Sequence, residues 1–329
     1  MRWTALGLLA LVAVLLALSW ESDRPLDELS TRWAAPPSQF IDLQGMRVHL
    51  RDQGPADDPI PLLLLHGTSA SLHTWEGWAS SLADDQRVIS VDLPGFGLTG
   101  PDPDRDYRIE RYVDFVRALL DRLRIEQAMI AGNSLGGWIA WETALTHPGR
   151  VHGLVLVDSA GYGTVPKDIP LAFQLARRPW LRPLLERLLP RPLVRRSVEQ
   201  VYGDPTRISA ELVDRYFELS LREGNRQALF DRFNQGLGSP DNRSRIAAIT
   251  QPTLILWGSE DQLIPPADGE RFAADIAGSQ LRLLPGLGHV PHEEDPAATL
   301  AAVRPFLQQI DPPPRSDDIP VADETSSGE

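Results

Sequence analysis

Hydrophobic positions along this chain follow two rhythms. Residues 62–65, 88–91, 128–131, 154–157 and 253–257 are short runs with almost no polar interruption. Runs of that kind belong to strands covered on both faces, where neither side of the pleat meets water. Residues 281–284 make a further strand. Between the runs the spacing changes to that of a helix. Over residues 109–123 the apolar positions are Tyr112, Val113, Phe115, Val116, Leu119, Leu120 and Leu123, one face at 3.6 residues per turn. Residues 135–146 and 297–310 read the same way. Strands alternating with helices predict an α/β fold, a mostly parallel sheet covered on both sides. Ahead of it, residues 40–43 and 46–51 predict a hairpin turning at Gln44-Gly45.

The alternation breaks in four places. From about residue 161 to 244 no buried strand can be read, and helix-like stretches at 171–176, 181–189, 193–202 and 210–221 are separated by prolines and glycines. This segment reads as a helical cap inserted between two core strands. At the start, residues 3–20 form an uncharged apolar run behind Arg2. As a helix it would be about 27 Å long, close to the roughly 30 Å of a bilayer core. Trp3 and Trp20 sit at its ends, where interfacial aromatics are favoured. Residues 1–20 are therefore expected to be a transmembrane anchor, with a signal peptide cleaved near Ala17-Leu18-Ser19 as the alternative. From Arg2 before the run and Glu21, Asp23 and Asp27 after it, the bulk of the chain is expected on the extracytoplasmic side, tethered to a membrane, or secreted if the leader is cut. Residues 21–39 are expected to be a linker, residues 40–310 the folded domain, and the Pro-rich, acidic residues 311–329 a disordered tail.

Composition narrows the function. The chain has 329 residues, 42% hydrophobic and 23% charged, enough for one large domain with an insertion. The net charge of −13 argues against nucleic acid, which needs a basic surface. With no cysteine there is no disulfide, thiolate catalysis or thiolate metal site.

The chemistry-bearing residues sit at strand ends. Gly132-Asn133-Ser134-Leu135-Gly136 fits G-x-S-x-G between an apolar strand and an apolar helix. That context makes a sharp turn that lifts the Ser134 oxygen above the sheet edge. A serine needs a base. Of the seven histidines, His289 in Gly286-Leu287-Gly288-His289 follows the last strand, at the edge expected for Ser134, with His292 as its neighbour and competitor. His66, His49, His147 and His152 read as structural or surface groups, and His73 as a group at the entrance. The base needs an acid to fix its tautomer. Asp261 follows the run 253–257, with Glu260 beside it and Asp158, at the end of the preceding strand, as the rival. The oxyanion donors are expected to be the backbone N–H groups of Thr68, after the run 62–65, and of Leu135. Asp92-Leu93-Pro94-Gly95-Phe96-Gly97 reads as a scaffold turn. No metal and no organic cofactor is required.

Taken together, His66-Gly67, Asp92 to Gly97, the Ser134 elbow, Asp261 and Gly288-His289 resemble the α/β-hydrolase superfamily in order and spacing, over about residues 40 to 310. The resemblance implies an eight-stranded, mostly parallel sheet with a helical cap inserted after strand six. Asn133 and Gly136-Gly137 look most like serine esterases, C–C bond hydrolases of aromatic ring degradation and cofactor-free perhydrolases of the haloperoxidase type. Haloalkane dehalogenases and epoxide hydrolases share the pattern but carry aspartate where Ser134 stands. C–C hydrolases usually carry a tryptophan directly after the catalytic histidine, and this chain has Val290. The expected activity is hydrolysis of carboxylic esters of apolar or aromatic small molecules through an acyl-enzyme. C–C bond hydrolysis or perhydrolysis is the alternative, and a non-catalytic binding module stands last.

Overall fold

The computed structural model describes residues 19–163, 171–176, 178–235 and 242–310. The apolar runs become strands. In chain order these are β1 (Ser38–Leu43), β2 (Met46–Gln53), β3 (Leu62–Leu65), β4 (Val88–Val91), β5 (Ala128–Asn133), β6 (Val151–Val157), β7 (Thr253–Gly258) and β8 (Gln280–Leu284). They form one eight-stranded sheet in the order β1-β2-β4-β3-β5-β6-β7-β8. β2 is antiparallel to both β1 and β4, and all other neighbours are parallel. This is the α/β-hydrolase fold anticipated from the sequence. The expected hairpin also forms, turning at Gln44 and Gly45, both at positive φ.

Uninterrupted hydrophobicity follows from burial of both faces. Leu62 and Leu64 point into a cluster with Trp75, Trp78, Leu300 and Val303, and Leu63 and Leu65 into the opposite cluster with Tyr112, Phe115, Trp141 and Phe272. Helices Ile109–Arg122, Leu135–Thr146 and Pro266–Asp275 supply the second cluster, whereas Glu76–Leu82 and Pro296–Gln309 supply the first. β4 and β5 lie on opposite sides of β3, so the connections leaving β3 and β5 diverge. That divergence opens a crevice at the carboxyl ends of the strands.

Between β6 and β7 the described residues contain helices and no strand, among them Leu171–Ala176, Arg191–Glu199, Ala210–Ser220 and Asn225–Asn234. Val198, Tyr202, Ile208 and Val213 pack together there and close on Val290 of the sheet domain.

The N-terminal expectations need correction. Residues 21–39 do not form a free linker. Leu26–Trp33 is a helix that starts after Pro25, carries Asp27 and Glu28 in its first turn, and buries Leu29 and Trp33. Leu26, Leu29 and Trp33 are spaced as one helical stripe, and they pack against Leu98 and Leu219. Asp23 pairs with Arg226 at 2.5 Å and Trp33 Nε1 donates to Glu218 at 2.7 Å, so the segment is sewn to the cap helices. The transmembrane anchor, and with it the membrane partner and the extracytoplasmic placement, is likewise not supported. Among the described residues no helix is long and apolar enough to cross a membrane. Residues 1–18 of the expected span lie outside the described residues, as does the expected tail 311–329. What is described of the chain's start, Ser19 to Trp33, is tied to the cap, with Leu189 N–H donating to Ser19 O.

Candidate active site

β5 ends in a strained elbow. Ser134 has φ 54° and ψ −111°, outside the regions open to ordinary side chains, and the helix Leu135–Thr146 begins immediately after it. The turn is possible because of what flanks it. A Cβ on Gly132 would lie 2.2 Å from the Gly136 carbonyl oxygen, and one on Gly136 would lie 2.1 Å from the Leu65 carbonyl oxygen. Only glycine permits those approaches. The elbow is anchored by Ser134 N–H donating to Val157 O (3.1 Å) and by Ala160 N–H and Trp138 N–H donating to Ser134 O (3.1 Å each). Leu135 opens the helix, where an N–H has no acceptor in a preceding turn.

His289 lies in the loop after β8. Its Nδ1 is 2.7 Å from Asp261 Oδ2, with both residues buried. Asp261 sits in the loop after β7, and its other oxygen accepts from the N–H groups of Leu263 (2.8 Å) and Ile264 (3.0 Å). The Asn133 amide, next to Ser134, donates to His289 O (2.9 Å) and to Val157 O (3.1 Å). The elbow and the histidine loop are thus bonded directly to one another. Asp158, the rival acid, is also present. It stands at the end of β6 with φ 45°, fully buried, and Oδ1 accepts from Gly258 N–H at 3.0 Å. One ligand-type atom each of Asp158, Asp261 and His289 lie within 4.8 Å of one another. Burial pushes the Asp158 carboxyl well above the ordinary carboxylate range, and the neighbouring Asp261 pushes it the same way. His292, the competing histidine, is stacked on Trp75 with ring centroids 3.9 Å apart. Neither of its ring nitrogens has a hydrogen-bond partner, and burial holds its imidazole well below the ordinary range.

Thr68 follows β3 across the crevice. His66 holds its loop: Nε2 accepts from Leu93 N–H (3.0 Å), which leaves Nδ1–H to donate to Gly67 O (2.7 Å). The turn after β4 is a polar hub. Asp92 accepts from Leu72 N–H, from Leu98 N–H and from the His49 imidazole, each at 2.7 Å. Burial alone would raise the Asp92 carboxyl, but His49, His66 and His73 hold it below the ordinary range. His73, expected at the entrance, is buried instead, bonded to Ser71 Oγ (3.0 Å) and Trp33 O (2.9 Å). Burial lowers its pKa to about 4. Thr68 and Ser69 line a cavity of about 140 Å³ that continues between cap residues such as Phe173, Leu193, Val198 and Leu229.

The sequence reading missed Glu294 and Glu293. Glu294 accepts from the N–H groups of Gly288 (2.8 Å), Gly203 (3.0 Å) and Asp204 (2.8 Å), which locks the histidine loop to the cap. Glu293 pairs with Arg215 of the cap and accepts from Tyr216 Oη (2.8 Å). His289 N–H donates to Val201 O of the cap at 2.8 Å. The only sequence signal was two acidic residues beside a buried turn, indistinguishable from a solvated helix start.

Comparison with known proteins agrees with this architecture. A family model described as alpha/beta hydrolase fold matches residues 60–296. A 2-hydroxymuconate semialdehyde hydrolase of Pseudomonas sp. strain CF600 is 32% identical over 277 residues, covering 81% of this chain and 92% of that protein. The protein of the same name from Pseudomonas putida is 30% identical, covering 81% and 92%. Among solved structures, a thermophilic esterase from Thermogutta terrifontis superimposes with a TM-score of 0.69 at 27% identity, covering 83% of this chain and 99% of that one. The chain belongs to the alpha/beta hydrolase family and is a hydrolase.

Proposed function

We propose that the chain hydrolyses a bond beside a carbonyl through an acyl-enzyme on Ser134, and that its substrate is a small ring-cleavage-type dienoate in which that bond is C–C. The observation that carries the chemistry is the 2.7 Å contact of His289 Nδ1 with Asp261, at the same sheet edge as the strained Ser134. The substrate class rests on the relatives at 32% and 30% identity named 2-hydroxymuconate semialdehyde hydrolase. This reading reverses the order given by the sequence, which put ester hydrolysis first.

In this reading Asp261 holds the proton on His289 Nδ1, leaving Nε2 free as base. Ser134 Oγ adds to the carbonyl carbon while its proton moves to Nε2. The Thr68 and Leu135 N–H groups hold the negative oxygen. Collapse of the adduct breaks the C–C bond. For this the substrate's enol proton must first move to the carbon beside the scissile carbonyl, so that the electron pair passes into the resulting enone as a dienolate, whose oxygen takes the proton back from His289. Water, deprotonated by His289, then adds to the acyl carbon and releases a carboxylic acid, and Ser134 recovers its proton. An ester follows the same steps with an alcohol leaving.

Ester hydrolysis is kept as second reading on one observation. Val290 occupies the place of the usual tryptophan and is packed among cap aliphatics. Purified protein offered 2-hydroxymuconate semialdehyde beside p-nitrophenyl esters of graded acyl length tests the order. Faster turnover of the semialdehyde by kcat/KM supports C–C hydrolysis. Ester turnover with none of the semialdehyde moves the assignment to an esterase. Fluorophosphonate labelling that leaves Ser134 unmodified would remove both.

A further inference from the structure

Behind the histidine lie two buried carboxyl groups where the reaction needs one. Asp261 has three donors: two backbone N–H groups on Oδ1 and the imidazole on Oδ2. Asp158 has one, the Gly258 N–H on Oδ1. Its Oδ2 is buried without any partner. An acceptor left bare in an apolar interior is strongly disfavoured. The neighbouring group is the Asp261 carboxyl, and a carboxylate has no donor to offer.

A proton removes the difficulty. Two carboxylates this close in a buried site cannot both stay charged. The charge goes to the group with more donors, Asp261, and the proton to the group with fewer. We propose that Asp158 is a neutral carboxylic acid whose Oδ2–H donates a hydrogen bond to the Asp261 carboxylate, and that Asp158 is thereby a positioning residue for the Asp261–His289 pair. The inference rests on the triad reading above.

Three observations converge on it. Asp158 follows a core strand with a left-handed backbone, φ 45°, and its side chain reaches Gly258 at the end of β7. One oxygen of its carboxyl, one of Asp261's and a ring nitrogen of His289 all lie within 4.8 Å of one another. The groups that face it are Asp261 from the loop after β7, His289 from the loop after β8, and Glu294 from the helix Pro291–Glu294. Both acidic neighbours favour the neutral form of Asp158, as does its burial. The arrangement gives Asp261 a fourth donor without adding a cation, so its negative charge stays available to the imidazolium that forms during turnover. Once the proton is lost at alkaline pH, a second carboxylate would face Asp261 and force the pair apart.

Asparagine at 158 preserves both bonds, with Oδ1 accepting from Gly258 and the amide donating to Asp261, but cannot titrate. Alanine preserves neither. With whichever substrate the protein turns over, Asp158→Asn should retain about tenfold more kcat than Asp158→Ala, with similar KM, and its kcat–pH profile should lack an alkaline fall present in the wild type. Equal losses in the two variants, or an unchanged alkaline limb in Asp158→Asn, would overturn the proposal. A second measurement does not depend on turnover. Infrared difference spectra at neutral pH should show a carboxylic-acid C=O band in the wild type that Asp158→Asn lacks, and absence of that band from the wild type refutes a protonated Asp158. If the band is present but Ser134 is not labelled by a fluorophosphonate, the triad reading fails and the protonation stands.

Discussion

Replacing Asp261 by asparagine removes one charge and no volume, and the structure fixes how the new side chain must sit. The N–H groups of Leu263 and Ile264 reach Asp261 Oδ1 at 2.8 and 3.0 Å. Leaving them without an acceptor costs about 1–3 kcal/mol each. The amide oxygen therefore stays on their side and the NH2 group turns towards His289 Nδ1, 2.7 Å away in the native protein. An NH2 can only donate there, so Nδ1 must accept and the imidazole proton moves to Nε2. The nitrogen that should take the Ser134 proton is then already occupied. Loss of the correct tautomer is worth on the order of 10³–10⁴ in kcat, or about 4–5.5 kcal/mol of barrier. Folding should change little, because volume and most bonds are kept. The assay is kcat and the rate of fluorophosphonate labelling of Ser134, wild type against Asp261→Asn, with circular dichroism as the folding control. Both rates should fall together. A loss of less than tenfold, or a larger loss in Asp158→Asn than in Asp261→Asn, would refute the assignment and move the acid to Asp158.

Three further outcomes follow from particular contacts. Ser134→Gly removes a side chain from φ 54°, a conformation that costs a non-glycine residue roughly 1 kcal/mol or more; the variant should melt higher than the wild type and lose activity, and a lower melting temperature contradicts a strained elbow. His73, with its pKa lowered by burial from 6.5 to about 4, binds a proton in the unfolded chain before it does so in the folded one. Stability from this group is complete above pH 6.5 and declines as pH falls towards 4, by roughly 3 kcal/mol at most, and urea midpoints across that window should fall less steeply in His73→Asn. Glu294→Ala strips the acceptor from three backbone N–H groups at the junction of the cap and the histidine loop. It should cost about 3 kcal/mol of stability and lower kcat on the order of tenfold, and an unchanged kcat would mean that His289 is held without this junction.

The sheet was legible because its buried strands are apolar at nearly every position, and the candidate site because its residues follow the ends of those strands. Ser134 is flanked by glycines that no other residue could replace, and such a motif carries its geometry in the sequence. The sequence put Asp261 ahead of Asp158 as the acid, but only on its place in the chain. Both end core strands, and what separates them is the number of donors each meets, three against one. All of those donors except the His289 imidazole are backbone groups, which look the same whatever the residue. Glu294, which clamps the histidine loop, was hidden for the same reason, since two of its three partners are the N–H groups of residues 91 and 90 positions away.

The misread start of the chain shows how a local pattern can be outweighed. Leu26, Leu29 and Trp33 form a short stripe in an eight-residue helix, and a helix of that length is not stable by itself. Its polar remainder, next to Pro36-Pro37, has the composition of a linker. Order comes from the partners: Leu98 and Leu219 under the stripe, Glu218 on the Trp33 indole, and His73 on the Trp33 carbonyl. Glu218 belongs to the cap and His73 to the sheet domain, so Trp33 joins the two. Its substitution by alanine would remove an indole and its bond to Glu218 at once. The cap would keep its other ties, among them Arg226 to Asp23, Asn225 to Gly97 O, and the contacts of Glu293 and Glu294 with it. Sequence reading placed the cap's boundaries by the absence of strands, but apolar packing on Val290 and polar pairing with segments far away in the chain are what hold it in place.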